Sequence, residues 1–446
     1  MSSLDAIFKA YDVRGVYPDQ LDEGVARSVG NAFVAFTGAD RVIVGRDMRP
    51  SSEPLAAAFV EGATRAGADV SDLGLASTDL CWFASGHLDA PAAMFTASHN
   101  PSEYGGIKLC RAGAAPIGIE TGLAQIKASV ESGLLERAAE LGTVEARDLL
   151  PEFADHVRSF VDLSVLRPLR VVADTANGMG GLVVPVVFEG LPFTLSVLYP
   201  ELDGTFPNHP ADPIQPENLQ DLQKAIVESD ADVGLAFDGD ADRVFLVDDR
   251  AEALSGSLTT SIVAKGILDH HPGETIVHNL ICSKAVPEIV RENGGTPVRT
   301  RVGHSFIKQV MAETGAIFGG EHSGHYYFRD NYRADSGLIA ALVVLEQLSR
   351  GGVPLSELRQ PFERYAASGE INTRVDEPAG VIDRVAATYR DVDQDRLDGL
   401  TVDAGDWWFN LRPSNTEPLL RLNLEAPDRA ACDEHTAEVL ALVRGE

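Results

Sequence analysis

The sequence predicts an α/β protein built as three similar domains with mixed or parallel sheets, followed by a smaller C-terminal α+β domain. Three observations predict this. Short apolar runs of strand length alternate with helical spacing through most of the 446 residues, the pattern of largely parallel sheets covered by helices. The alternation restarts twice, giving units of about a hundred residues each, an ordinary domain size. From about Glu370 the pattern changes to successive strand segments closed by one helix, which is α+β character.

The elements follow in order. In the first unit, residues 1–148, Arg41-Val-Ile-Val-Gly45 is strand-like, and Ser52 to Ala66 has helical spacing with many small residues. Ala92-Ala-Met-Phe95 and Ile107-Lys-Leu-Cys110 are further strands. The second unit, 149–250, opens with the strand Leu169-Arg-Val-Val-Ala-Asp174, which runs into a helix-opening turn, Asn177-Gly-Met-Gly-Gly181. The third, 251–365, starts with Thr275-Ile-Val-His278 and continues as a helix from Pro287 to Asn293. Leu338 to Leu345 reads as a buried helix, well short of the ~18 apolar residues a membrane span needs. The fourth unit, 366–446, has strands at Ile371-Asn-Thr-Arg-Val375, Trp407-Trp-Phe-Asn-Leu411 and Leu419 to Leu424, then a helix from Arg429 to Val443. Val381 to Gly399, rich in Asp and Arg, reads as a solvated helix and loop, and Ala366-Ala-Ser-Gly-Glu370 as a hinge.

Lys and Arg number 37 against 67 Asp and Glu, a formal charge of -30. So acidic a surface repels nucleic acid and anionic membranes, and both are excluded as partners. An anionic substrate would need a locally basic site, which gives weight to the few cations found in motifs. The four cysteines are scattered without a Cys-x-x-Cys pair, which suits reduced thiols. The N-terminus has neither the basic flank nor the apolar core of a signal peptide. A cytoplasmic protein is the expectation.

The most informative stretch is Asp238-Gly-Asp240-Ala-Asp242-Arg243, set between the apolar runs Val233 to Phe237 and Val244 to Val247. Three carboxylates gathered in a turn repel one another unless a cation sits among them, and a divalent metal such as Mg²⁺ fits three hard oxygen ligands. The planar fork of Arg243 suits phosphate. An EF-hand does not fit, because its sixth position would be Arg243 and its twelfth Asp249. A phosphatase of the haloacid dehalogenase type, with Asp238 as nucleophile, and a solvated acidic turn both remain compatible with this motif alone.

Three more loops follow apolar strands. Thr96-Ala-Ser98-His99-Asn100-Pro101 offers a hydroxyl and an imidazole in a tight turn, making Ser98 a candidate nucleophile or phosphate carrier; a locally hydrogen-bonded turn is the alternative. Lys108, inside an otherwise apolar strand, should reach toward a partner or a cleft unless it snorkels to solvent. Gly320-Glu321-His322-Ser323-Gly-His325 carries groups suited to sugar hydroxyls and an imidazole able to move a proton near neutral pH. Arg412-Pro-Ser414-Asn415-Thr416-Glu417, with Arg421 beyond it, reads as an anion cradle or a polar hairpin turn.

The order of these motifs, TASHNP, DGDADR, GEHSGH and RPSNTEP, resembles the α-D-phosphohexomutase superfamily, as does the opening Phe8-Lys-Ala-Tyr-Asp-Val-Arg14-Gly15. The His-Ser-Gly-His form of the sugar loop is similar to the phosphomannomutase/phosphoglucomutase branch; phosphoglucosamine mutases, an alternative within the superfamily, usually carry Gln there. Gly106 stands where many members have Asn, and His322 occupies a position that varies with substrate preference. The resemblance implies four domains around a central cleft, carrying in turn a phosphoserine, a metal, a sugar and a phosphate loop. It implies interconversion of hexose 6-phosphate and hexose 1-phosphate, with mannose and also glucose as the sugar, in the supply of GDP-mannose. Ser98 would carry the phosphoryl group, and Mg²⁺ would be held by Ser98, Asp238, Asp240 and Asp242. A hexose 1,6-bisphosphate would be both intermediate and activator. Arg14, Lys108 and His325 would act at the transferring group. Arg243, Lys284, His304, Glu321, Ser323, Arg412, Ser414, Asn415, Thr416 and Arg421 would bind substrate. The implied assembly is a monomer or homodimer.

Overall fold

The structure is a computed structural model describing residues 4–133, 136–413 and 419–445. It contains four sheets, one per predicted unit. The first runs in the order Val13–Val16, Tyr104–Arg111, Ala92–Phe95, Arg41–Arg46, Asp69–Leu75, Val144–Ala146, with Ala115–Pro116 beside Tyr104–Arg111. Ala92–Phe95, Arg41–Arg46 and Asp69–Leu75 are parallel, whereas Tyr104–Arg111 lies antiparallel to its neighbours. Parallel strands buried on both faces read as unbroken apolar runs, and Ala92–Phe95 is buried at all four positions.

The second sheet orders Val244–Asp248, Val233–Phe237, Arg170–Asp174, Thr194–Leu198, and the third orders Thr296–Thr300, Thr275–Asn279, Phe318–Gly320, Tyr326–Phe328. Each is parallel except for one antiparallel edge strand, Val244–Asp248 and Tyr326–Phe328 respectively. Those edge hairpins matter, because the turn entering each carries a motif. The fourth sheet is antiparallel, with Ala366–Ala367 and Ile371–Arg374 both paired to Leu419–Ala426, followed by Trp408–Pro413, Leu400–Asp403 and Asp393–Asp395.

One apolar core runs through the first three units, joining Met94, Phe153, Val183, Leu235, Ile262, Phe318 and Leu342. The fourth has its own core around Val385, Phe409, Leu411, Leu422 and Val439. Its seam with the third unit carries many polar contacts: Lys284 pairs with Asp403, Arg299 pairs with Asp395, and Val302 N–H donates to Asp398. Such seams allow relative motion more readily than apolar ones.

One expectation needs correction. Val381 to Gly399 is not merely a solvated helix and loop. Helix Pro378–Thr388 buries Val381, Ile382, Val385 and Ala386 in the fourth core, and Asp393–Asp395 joins the sheet as an edge strand. The charges sit on the outer face and mask an apolar stripe of helical period. The four cysteines are buried and unbridged. Among the described residues no single helix is long and apolar enough to cross a membrane.

Candidate active site

The serine loop leaves the C-terminal end of Ala92–Phe95 and is held from beneath by Arg49. This buried guanidinium donates to the carbonyls of Ser98 (2.7 Å), Asn100 (2.6 Å) and Pro101 (2.7 Å), pairs with Asp47 at 3.3 Å and lies over the Phe206 ring. The Ser98 N–H donates to the Thr96 hydroxyl. So restrained, Ser98 adopts φ 51°, a left-handed conformation that costs of order 1 kcal/mol and persists only where surroundings enforce it. Its hydroxyl is thereby aimed across the domain boundary, donating to Asp238 Oδ2 at 2.8 Å. The approach is close: a Cβ on Gly239 would stand 2.4 Å from the Ser98 carbonyl oxygen, so that position admits only glycine. Gly106, on the strand behind, is equally constrained, since a Cβ there would meet the Thr96 carbonyl oxygen at 2.4 Å.

Asp238, Asp240 and Asp242 sit in the turn between Val233–Phe237 and Val244–Asp248, all three buried. One carboxylate oxygen from each lies within 4.8 Å of those of the other two. Two cations compensate them. Lys108 Nζ reaches Asp240 Oδ2 at 2.7 Å and Asp242 Oδ2 at 2.9 Å, and Arg243 Nε donates to Asp238 Oδ2 at 2.9 Å. Thr78 adds a hydrogen bond from its hydroxyl to Asp240 Oδ2. Burial, reinforced by Asp240 and Asp242, pushes the Asp238 carboxyl above the usual carboxylate range against the pull of Arg243. At Asp240 burial acts the same way, but the charge and hydrogen bond of Lys108 outweigh it and hold the group well below that range. Oδ1 of Asp240 and Oδ1 of Asp242 are buried without a hydrogen-bond partner. Oxygens so placed are costly, and with Asp238 they form a donor set that fits a hard divalent cation.

Around this centre a cavity of about 190 Å³ is lined by Arg14, Ser98, His99, Lys108, Asp242, His304, Lys308, His325 and Asp335, among others. Arg14 donates to Asn100 Oδ1 at 2.7 Å and pairs with Asp12. The His325 ring shares a 2.9 Å hydrogen bond at Nδ1 with the Ser323 hydroxyl, and its Nε2 lies 4.0 Å from Asp242 Oδ1. His304 packs edge-on against Tyr11, and burial together with Lys308 pushes its imidazole down to about 3. It is therefore neutral at physiological pH.

Glu321 is fixed by three donors: Asn279 Nδ2 and Gly303 N–H, each 3.1 Å from Oε1, and the Tyr327 hydroxyl, 2.7 Å from Oε2. In the fourth domain Arg412 and Arg421 are directly opposed on adjacent strands, and both pair with Glu370. The charge of Arg412 reaches the Tyr11 phenol, which lines that cavity.

Most of the residues singled out in the sequence thus converge. Ser98, the three aspartates, Arg14, Lys108, Arg243, His304 and His325 meet at one centre, with Glu321 and Ser323 on its flank. Ser414, Asn415 and Thr416 lie outside the described residues. Lys284 stands apart, since its ammonium is held by Asp403 Oδ1 at 2.5 Å and the Gly405 carbonyl at 2.8 Å in the seam with the fourth domain. Sequence reasoning missed Arg49, Thr78, Tyr11 and the buried pair Lys308–Asp335, whose charges are 3.0 Å apart. Lys308 was the most findable, being one helical turn beyond His304 and so on the same face.

Four family models match in chain order: the phosphoglucomutase/phosphomannomutase α/β/α domain I over residues 5–136, domain II over 151–252, domain III over 255–365, and the C-terminal domain over 370–442. The chain belongs to the phosphoglucomutase/phosphomannomutase family. Two curated relatives of this phosphohexomutase branch match along nearly their whole length. One is named phosphohexose mutases, from Xanthomonas campestris, 40% identical over 443 residues and covering 98% of this chain and 99% of the relative. The other is a phosphomannomutase from Salmonella montevideo, 39% identical over 448 residues with 98% of each covered. Among solved structures, a phosphoglucomutase/phosphomannomutase family protein from Burkholderia thailandensis superposes with TM-score 0.90 at 32% identity, covering 100% of this chain and 98% of that one.

Proposed function

We propose that the protein interconverts hexose 6-phosphate and hexose 1-phosphate, with mannose and also glucose as the sugar, through phosphoserine 98 and a hexose 1,6-bisphosphate. The observation that carries this reading is the 2.8 Å contact between the Ser98 hydroxyl and Asp238, inside a buried trio already flanked by Lys108 and Arg243. Such a hydroxyl is placed to carry a phosphoryl group among cations, and phosphoryl transfer is catalysed chiefly by position and positive charge.

Each transfer breaks one P–O bond and makes another. The phosphoryl group leaves Ser98 for the free hydroxyl of the sugar, that hydroxyl gives up its proton, and the serine oxygen is left to recover one. Mg²⁺ would be held by Asp238, Asp240, Asp242 and an oxygen at Ser98, and when bound it supplies charge neutralisation for the transferring oxygens. Lys108 and Arg14 flank the same oxygens. His325, with Nδ1 engaged by Ser323, presents Nε2 toward the transfer centre to accept or return the proton. Glu321 and Ser323 would hold sugar hydroxyls that keep their place in either orientation, with Lys284 and His304 near the sugar. For Lys284 this requires the seam contact with Asp403 to open. Arg412 and Arg421, with Ser414, Asn415 and Thr416, would grip the phosphate not being transferred. The second transfer returns the other phosphate to Ser98. The reading extends to a cytoplasmic, Mg²⁺-dependent enzyme supplying mannose 1-phosphate for GDP-mannose.

The test is Ser98→Ala assayed with hexose 1,6-bisphosphate present. Loss of interconversion, on the order of 10⁴-fold or more, is expected. Full turnover in this variant, or net release of inorganic phosphate by the wild type, would defeat the proposal. Specificity constants for mannose, glucose and glucosamine 1-phosphates, measured side by side, decide the sugar.

A further inference from the structure

The two guanidiniums of the proposed cradle already hold an anion belonging to the protein itself. Arg412 and Arg421 face each other across neighbouring strands, a placement in which like charges repel. Glu370 immediately precedes the strand Ile371–Arg374, whose Asn372 pairs with Arg421. Its single carboxylate spans the pair: Oε2 accepts from Nη2 of Arg412 at 3.1 Å, and Oε1 accepts from Nη1 of Arg421 at 3.2 Å. Two oxygens of one anion, each held by a different guanidinium, is also how a phosphate would be taken.

We propose that Glu370 is an internal phosphate surrogate. It keeps the two arginines assembled and competes with the far-side phosphate of the substrate, so that the grip stays loose enough for release. This rests on reading Arg412 and Arg421 as the phosphate cradle. A mutase differs from a one-way transferase in needing to let this phosphate go midway through every cycle, when the bisphosphate turns round. Two arginines with no competitor would hold a dianion strongly at both stages. A carboxylate on the same pair cancels part of that pull. The Glu370 side chain is 28% exposed, so it can swing toward water when displaced without the cost of burying an unpaired charge.

Glu370→Gln preserves size and an accepting oxygen but removes the charge. By calorimetry on the full-length protein, inorganic phosphate is expected to bind about fivefold tighter to this variant than to the wild type. KM for the hexose phosphate and kcat should both fall, the second because release is slowed. In an Arg412→Ala background the same change should leave phosphate affinity unaltered. Phosphate affinity that is unchanged or weakened by Glu370→Gln overturns the proposal, since a carboxylate that merely organised the arginines would weaken the cradle on removal. Tighter binding with kcat unchanged or raised overturns the release role. If wild type and Arg412→Ala bind phosphate equally, the cradle reading itself fails and takes this proposal with it.

Discussion

The serine–aspartate centre and the arginine cradle both handle phosphate in the proposed reaction, yet they are built in opposite ways. The first lies between two domains that share one apolar core. Its carboxylates are buried, its cations are locked to them, and Arg49 fastens the serine loop by its carbonyls. The second belongs to a domain with a separate core and a largely polar seam, and its arginines rest on a partly exposed carboxylate. Bond making needs groups fixed before the substrate arrives, because charge placed in advance costs no reorganisation during the reaction. Holding the remote end needs strength without permanence, because two different phosphates use it in turn.

That contrast can be broken experimentally. The largest effect is expected at Lys108. Lys108→Met leaves Asp240 and Asp242 without their shared cation, so turnover should fall on the order of 10³-fold and stability by about 3 kcal/mol, read by steady-state kinetics and chemical unfolding of the same preparation. A normal unfolding midpoint would show that Lys108 is not needed to compensate the buried carboxylates.

Asp79, just beneath the aspartate turn, gives a pH test. Burial pushes its carboxyl up to about 7, although the Ser77 and Ser336 hydroxyls oppose the shift. The folded pKa lies above the unfolded one, so the folded state binds the extra proton. The resulting stability is fully present below about 4 and is lost as pH rises through about 7. Relative to Asp79→Asn, the wild type should therefore lose up to about 4 kcal/mol between pH 4 and pH 8. A pH-independent difference between the two proteins would refute the shift. The smallest effect on the molecule as a whole is expected from Arg412→Ala. KM should rise about tenfold while the unfolding free energy stays within about 0.5 kcal/mol. A loss of stability there comparable with that of Lys108→Met would erase the distinction between the two regions.

The chemistry was legible in the sequence where it was local. Asp238, Asp240 and Asp242 alternate within one turn, and Ser98 and Glu321 each follow a recognisable apolar strand, so composition and position reveal them together. Lys108 was visible as a charge in an apolar strand. What stayed hidden depends on contacts between distant segments. Arg49 looks like any arginine before a proline until four carbonyls of residues 98–104 close on it. Glu370 reads as part of a hinge, since its partners lie 42 and 51 residues away. The stretch 381–399 was misread because its charges outnumber the four apolar residues that decide its burial. Lys284 carries no local sign that its ammonium rests on Asp403.

The fit at Gly239 reaches further than its size suggests. With the serine loop's carbonyl lodged where a methyl group would stand, two segments far apart in the chain become a single moulded joint. Bulk added on one side must be answered by a withdrawal on the other, so the serine loop and the aspartate turn can shift only together.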